Sequence, residues 1–235
     1  MSAEVPLQAG SYSMSKTILV VAAHTDDEAM GCGGTIARHV SEGDQVHLLF
    51  MTDGVSSRDT QSDEAVERLS AAQLAAKIMG VSSFTNLQFP DNSMDSVPLL
   101  DIVKQIETKI AELKPEVIYT HHLGDLNIDH QITHKAVITA CRPQPGFSVK
   151  SIYAFEVVSS TEWQSPNLLP FLPHTFYDIS EYLDIKMKAV EAYIDEMRQV
   201  PHSRSIEHIR LLAKHRGYSV GVDAAEAFML VREIR

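Results

Sequence analysis

Five consecutive residues, His24-Thr25-Asp26-Asp27-Glu28, place one imidazole and three carboxylates directly after an apolar run. Like charges this close raise one another's pKa unless a cation lies among them, and a bound divalent ion is the usual remedy. The plain alternative for any such acidic triplet is a solvated loop that caps the next helix, and the histidine at the end of the run shifts the weight toward metal. A second polar stretch, His121-His122-Leu123-Gly124-Asp125-Leu126-Asn127-Ile128-Asp129-His130, also follows a short apolar run, with His134 one helical turn beyond His130. Catalytic zinc is commonly held by three imidazole or carboxylate ligands with a fourth position open. His24, one carboxylate of the 26–28 cluster and His130 meet that requirement. A neighbouring carboxylate that does not bind the ion can then take the proton of an attacking water, so the chemistry expected is hydrolysis. Asp129 either orients an imidazole or caps the following helix.

Bringing the two stretches together requires strands whose ends lie side by side. The run TILVVAA at 17–23 has the β-branched content and brevity of a buried strand, and Gly31, Gly33 and Gly34 after it read as a turn. A helix is then expected over 35–41, a strand over 45–51 and a helix over 63–79 that Gly80 ends. A strand over 85–89, a helix over 97–113 stopping before Pro115 and a strand over 116–120 follow. A helix over 129–141, a strand over 151–156 and two closing helices over 181–198 and 205–216 complete the pattern. This alternation predicts an α/β fold, a Rossmann-like three-layer sandwich whose mostly parallel sheet is flanked by helices. Ligands bind beyond the carboxyl ends of such strands, which directs attention to 24–28, 52–57, Asp91 with Asn92, and 121–130.

The 235 residues read as one domain over 16–235 after a loose tail at 1–15. With 20 Lys and Arg against 31 Asp and Glu the formal net charge is −11, and no local basic patch offsets it, so nucleic acid is not an expected partner. Cys32 and Cys141 form no CxxC pair, which favours a reducing compartment, here the cytoplasm. The opening residues read as neither secretory signal nor anchor, and no later apolar run is long enough to span a bilayer. GlyCysGlyGlyThrIle is not GxGxxG and follows an acidic turn that repels a pyrophosphate, which argues against a nicotinamide enzyme. Cys32 has no evident base and reads as packing. Trp163 suits a sugar face, Asp53 and Arg58 after the second strand are candidates to touch a sugar, with a turn before the helix explaining Asp53 equally well, and Arg204 and Arg216 suit a phosphate or carboxylate, with His202 beside them.

The stretch ValAlaAla-HisThrAspAspGlu-AlaMetGlyCysGlyGly resembles the AHPDDE signature of the PIG-L or LmbE-like zinc N-deacetylases. ThrAspGly at 52–54, AspLeuAsnIleAspHis at 125–130, GluValValSerSerThrGluTrp at 156–163, ProHisSerArgSer at 201–205 and AlaGluAlaPhe at 225–228 extend the resemblance over nearly the whole chain after the tail. It implies one Zn2+ per chain held by His24, Asp27 and His130, with Asp26 as general base. The implied reaction is removal of an N-acetyl group from an amino sugar, free or nucleotide- or lipid-linked; homo-oligomerisation stays open. Two positions depart from the pattern. Thr25 replaces the usual Pro, and Asn127 stands where many members have a His that stabilises the oxyanion or protonates the leaving group. Asn127 donates a hydrogen bond but has no titratable proton, leaving His121, His122 and His134 as candidate replacements. The rival readings are a metal-binding relative without activity, acting through a partner, and another metal-dependent amidohydrolase or phosphoester hydrolase.

Overall fold

The computed structural model describes residues 15–52 and 62–235. The tail expected at 1–15, apart from Ser15, and the candidates Asp53 and Arg58 lie outside the described residues.

Strand β1 (Thr17–Ala22) is central and buried on both faces. Its alternation decides the layers: Ile18, Val20 and Ala22 pack into one apolar cluster, Leu19 and Val21 into another. On the first face lie α1 (Asp27–Ser41), α2 (Ser62–Met79), α5 (Leu183–Glu191) and part of α6 (Ile206–Tyr218). On the second lie α3 (Leu99–Leu113) and α4 (Ile128–Ala140). The other strands are β2 (Gln45–Thr52), β3 (Ser83–Phe89), β4 (Val117–His121), β5 (Ser151–Phe155), β6 (Thr175–Asp178) and β7 (Ala225–Glu233).

The seven strands form one sheet in the order β3-β2-β1-β4-β5-β7-β6. Pairs β1·β2, β1·β4, β2·β3 and β4·β5 are parallel, and β7 runs antiparallel to β5 and β6. The expected three-layer, mostly parallel architecture is therefore present. The chain leaves β1 toward β2 and β3, then returns to the other side of β1 as β4. Connections diverge at that switch point and open a crevice at the carboxyl ends of β1 and β4, where His24 and His121 stand.

Three expectations need correction. The glycines at 31, 33 and 34 are not in a turn: α1 already runs from Asp27, with a break at Cys32. Intrinsic propensity argues against glycine in a helix, but packing overrides it. A Cβ on Gly31 would strike the Phe155 ring, and one on Gly34 would lie 2.7 Å from Ile179 Cδ1. The helix expected over 181–198 is split into α5 and a 3-10 turn at Ile194–Glu196. The chain closes not on a helix but on β7, whose charged residues blurred its strand pattern.

These contacts predict that Gly34→Ala destabilises the fold by about 1–3 kcal/mol through overpacking. Gly33→Ala, whose Cβ meets nothing nearer than 3.5 Å, should lose far less. Urea denaturation with unchanged m-values checks this; equal midpoints for the two variants would contradict it.

Candidate metal centre

The turn between β1 and α1 holds Asp26 at φ 106°, a conformation L residues rarely adopt. Backbone of this kind costs on the order of 1–3 kcal/mol and persists where neighbours over-determine it. Glu28 supplies part of that constraint: its Oε2 accepts Asp26 N–H at 3.0 Å and its Oε1 accepts the Tyr193 hydroxyl at 2.6 Å. Burial pushes the Glu28 carboxyl up to about 8, opposed by the Tyr193 bond. The turn brings Asp27 back onto His24, whose N–H donates to Asp27 Oδ2 at 2.8 Å.

The second half comes from β4 and the start of α4. Asn127 caps α4, its Oδ1 accepting Asp129 N–H at 2.8 Å, and the first turn lays His130 against His24. His24 Nδ1 lies 3.2 Å from Asp27 Oδ2 and 3.2 Å from His130 Nε2, and the third side, His130 Nε2 to Asp27 Oδ2, is 3.3 Å. Tetrahedral zinc with ordinary bonds to nitrogen and oxygen places its donor atoms about 3.3–3.5 Å apart. Asp27 Oδ2 is the oxygen that faces both imidazoles, while Oδ1 is buried without a hydrogen-bond partner among the described residues. On spacing and donor chemistry, these residues fit a small divalent cation.

The far nitrogen of each imidazole meets a carboxylate. His24 Nε2 is 3.2 Å from Asp129 Oδ2, and Asp129 also accepts the N–H groups of Asn92 at 2.7 Å and Met94 at 3.0 Å. His130 Nδ1 is 3.1 Å from Asp125 Oδ1; Asp125 is held by Asn127 N–H at 2.9 Å, Thr161 Oγ1 at 2.6 Å and the Ser160 hydroxyl. Such carboxylate–histidine pairs set the tautomer and the ring orientation. A second group of possible donors is His24 Nε2, Asp91 and Asp129. It offers one nitrogen, and both oxygens of Asp129 are already engaged by backbone, so the group containing His130 is the stronger site.

Electrostatics reflect the crowding. Burial pushes the His24 imidazole down, but Asp129, Asp27 and Asp91 hold it well above its ordinary value. Burial opposes Asp27 and Asp125 at His130, which ends up raised to about 9. Asp27 is raised by burial and pulled well below the carboxylate range by His130 and His121. Asp125, likewise opposed by burial, falls to about 2 beside His130. The acids around both imidazoles favour their charged forms, and an ion bound there competes with those protons.

Asp26 faces a cavity of about 120 Å³ that His24, Asn127 and Arg204 also line. Arg204 Nη1 donates to Asp26 Oδ2 at 3.1 Å while its Nε donates to Ser159 Oγ at 3.0 Å. Burial pushes Asp26 up to about 6, against the pull of Arg204. Across the cavity Arg68 pairs with Glu196 at 2.5 Å.

Other candidates fall outside this wall. Trp163, 53% exposed, meets the His202 ring edge-on at 5.5 Å, and His202 Nδ1 accepts Arg204 N–H at 3.0 Å, so the pair supports the arginine's loop. Arg216 is bound bidentately by Glu156 at 2.8 and 2.7 Å. His121 stacks on His130 and its Nε2 accepts Ala23 N–H at 2.8 Å, while His122 and His134 bond the carbonyls of Leu169 and His121 at 2.8 Å. None of the three lines the cavity. Asp129 does not cap α4, because Asn127 does. Asp125, Arg68 and Glu196 were not singled out from sequence; only Asp125, inside the 121–130 stretch, had a signal that could have found it.

An α/β sheet with an imidazole–carboxylate cluster at its switch point defines a class of crevice enzymes with a candidate metal centre. The chain belongs to the family described as PIG-L: GlcNAc-PI de-N-acetylase, whose model matches residues 19–141. It is similar to the uncharacterized deacetylase YaiS of Escherichia coli K12, 31% identical over 192 residues, 78% of this chain and 93% of that protein. It is 26% identical over 239 residues to the diacetylchitobiose deacetylase of Thermococcus kodakarensis, 92% of this chain and 83% of that one. Among solved structures, the 4-carboxy-2-hydroxymuconate hydratase of Pseudomonas putida KT2440 superposes with a TM-score of 0.73 at 25% identity, covering 94% of this chain and 98% of that one.

The geometry predicts that His24→Ala and His130→Ala lose bound metal, whereas Asp125→Asn keeps the fold and weakens metal affinity by about 10–100-fold. Chelator competition measures both; wild-type affinity in His130→Ala would contradict the assignment.

Proposed function

We propose that this protein is a zinc-dependent hydrolase that removes the acetyl group from an N-acetylated amino sugar or sugar conjugate. The observation that carries the reading is the triangle of His24 Nδ1, Asp27 Oδ2 and His130 Nε2, with the separate carboxylate of Asp26 facing the adjoining cavity. Family membership and the deacetylases among the relatives support the reaction type.

His24, Asp27 and His130 hold the ion, which when bound polarises the amide carbonyl and acidifies water. Asp26 takes the proton from the attacking water. Arg204, bonded to Asp26, keeps that carboxylate aimed into the cavity and sets a cation beside the negative charge of the tetrahedral adduct. As the C–N bond breaks, Asp26 returns its proton to the departing nitrogen, so that amide and water become amine and acetate. Asn127 takes no proton: its Oδ1 caps α4 and its Nδ2 donates to Asn92 Oδ1 at 3.1 Å. Proton handling falls to Asp26, and charge stabilisation to Arg204.

The cavity's charge bears on the substrate. Among the described residues, both arginines that line it are paired, Arg204 with Asp26 and Arg68 with Glu196, and Asp91 adds another acid. An uncharged, hydroxyl-bearing sugar ring suits this wall better than an anionic one, which would need free cations. The same point weighs against the alternative raised by the hydratase relative, since a carboxymuconate brings several carboxylates.

Asp26→Asn should retain metal and lose about 10²–10⁴ in kcat, read as amine release from a panel of N-acetylated sugars. Full activity in that variant would exclude Asp26 as base; no acetate release from any sugar by the zinc-loaded wild type would sink the deacetylase reading. Because Asp26 works ionised and a bound cation lowers its pKa below the ion-free value of about 6, activity should fall toward acid with a limb at or below pH 6. A limb well above pH 6 would point to another base.

A further inference from the structure

Helix α1 breaks once, at Cys32, whose φ of −146° and ψ of 20° are not helical. A break inside a buried helix strands carbonyls at the end of the first piece and N–H groups at the start of the second. Here one such carbonyl and two such N–H groups are met by side chains from distant elements. Lys186 Nζ, from α5, donates to Met30 O at 2.6 Å; the Glu226 carboxylate, from β7, accepts Gly34 N–H at 3.0 Å and Thr35 N–H at 2.7 Å. Lys186 and Glu226 also pair with each other, and they are only 2% and 5% exposed. Each charge sits where a helix dipole favours it, the ammonium at a carboxyl end and the carboxylate at an amino end.

The short piece spliced in this way carries Asp27 and Glu28 and follows directly on Asp26. Its other tether is Glu28, bonded to Tyr193 and to Asp26 N–H. A buried ion pair is weak grounds for stability, because apolar side chains of similar volume often do as well. Apolar side chains would leave the broken helix's backbone groups open, however, and could not set the angle between its halves. We propose that the Lys186–Glu226 pair is a positioning device for the candidate metal centre, fixing the short helical piece so that Asp27 Oδ2 meets His24 and His130. The proposal rests on the metal-centre reading.

The test compares Zn2+ affinity, by chelator competition, in wild type, Lys186→Met, Glu226→Gln and a core control, Ile106→Ala, all at a temperature where circular dichroism shows folded protein. Ile106 is buried in the cluster on the opposite face of the sheet. Lys186→Met and Glu226→Gln should each weaken Zn2+ binding by about 10–100-fold and speed amide hydrogen exchange over 27–31. Ile106→Ala should leave both readouts within about twofold of wild type at a comparable loss of Tm. Affinity within about twofold of wild type in both pair variants, or an equal loss in Ile106→Ala, would overturn the proposal. Should Lys186→Met fail to fold, Glu226→Gln, which keeps the side chain's shape, decides alone. If the wild type itself fails to bind Zn2+, the metal reading falls, and exchange over 27–31 still decides the splice: faster in the pair variants supports it, unchanged refutes it.

Discussion

Five aspartates, Asp26, Asp27, Asp91, Asp125 and Asp129, are buried around the imidazoles of His24, His121 and His130 at one end of the sheet. Burying carboxylates together is unfavourable unless positive charge compensates them, and among the described residues that charge comes from Arg204, from Arg68 across the cavity and from whatever protons the histidines retain. The upward push on Asp26 and the downward pull on Asp27 are two sides of this imbalance. A divalent cation among His24, Asp27 and His130 would relieve it, so donor spacing and electrostatics point to the same place.

The fold serves that constraint by geometry. Parallel strands β1 and β4 deliver two polar turns to one crevice, and the antiparallel pair β6 and β7 extends the sheet far enough for Glu226 to reach back into α1. Division of labour between adjacent carboxylates follows from the bent turn. With Asp26 at φ 106° the two side chains diverge, Asp27 toward the imidazoles and Asp26 toward Arg204 and the cavity. One aspartate becomes a ligand candidate and its neighbour the proposed proton carrier.

Much of this was legible in sequence because its signals are local. An apolar strand ending in His24, the acidic triplet after it and the polar stretch up to His130 gave the two halves of the centre and the parallel sheet that joins them. Spacing alone left open which carboxylate pairs with the imidazoles; the resemblance supplied Asp27, whose Oδ2 lies 3.2 Å from His24 Nδ1 and 3.3 Å from His130 Nε2. What was not legible depends on contacts remote in sequence. Arg204 reaches Asp26 across 178 residues, and Lys186 reaches Met30 across 156. Glycines that read as a turn are helical because Phe155 and Ile179 pack where a Cβ would stand. The role of Asn127 as a cap, with Asp129 behind His24, needed the start of α4 to be placed to the residue.

The central claim is that one cation sits among His24 Nδ1, Asp27 Oδ2 and His130 Nε2. A crystal of the zinc-loaded protein, with diffraction recorded on both sides of the zinc absorption edge, tests it directly. The account predicts one anomalous peak about 2.0–2.2 Å from each of those three atoms, with Asp26 outside bonding distance. A peak between His24 Nε2, Asp91 and Asp129 instead, or none in this crevice, would contradict it.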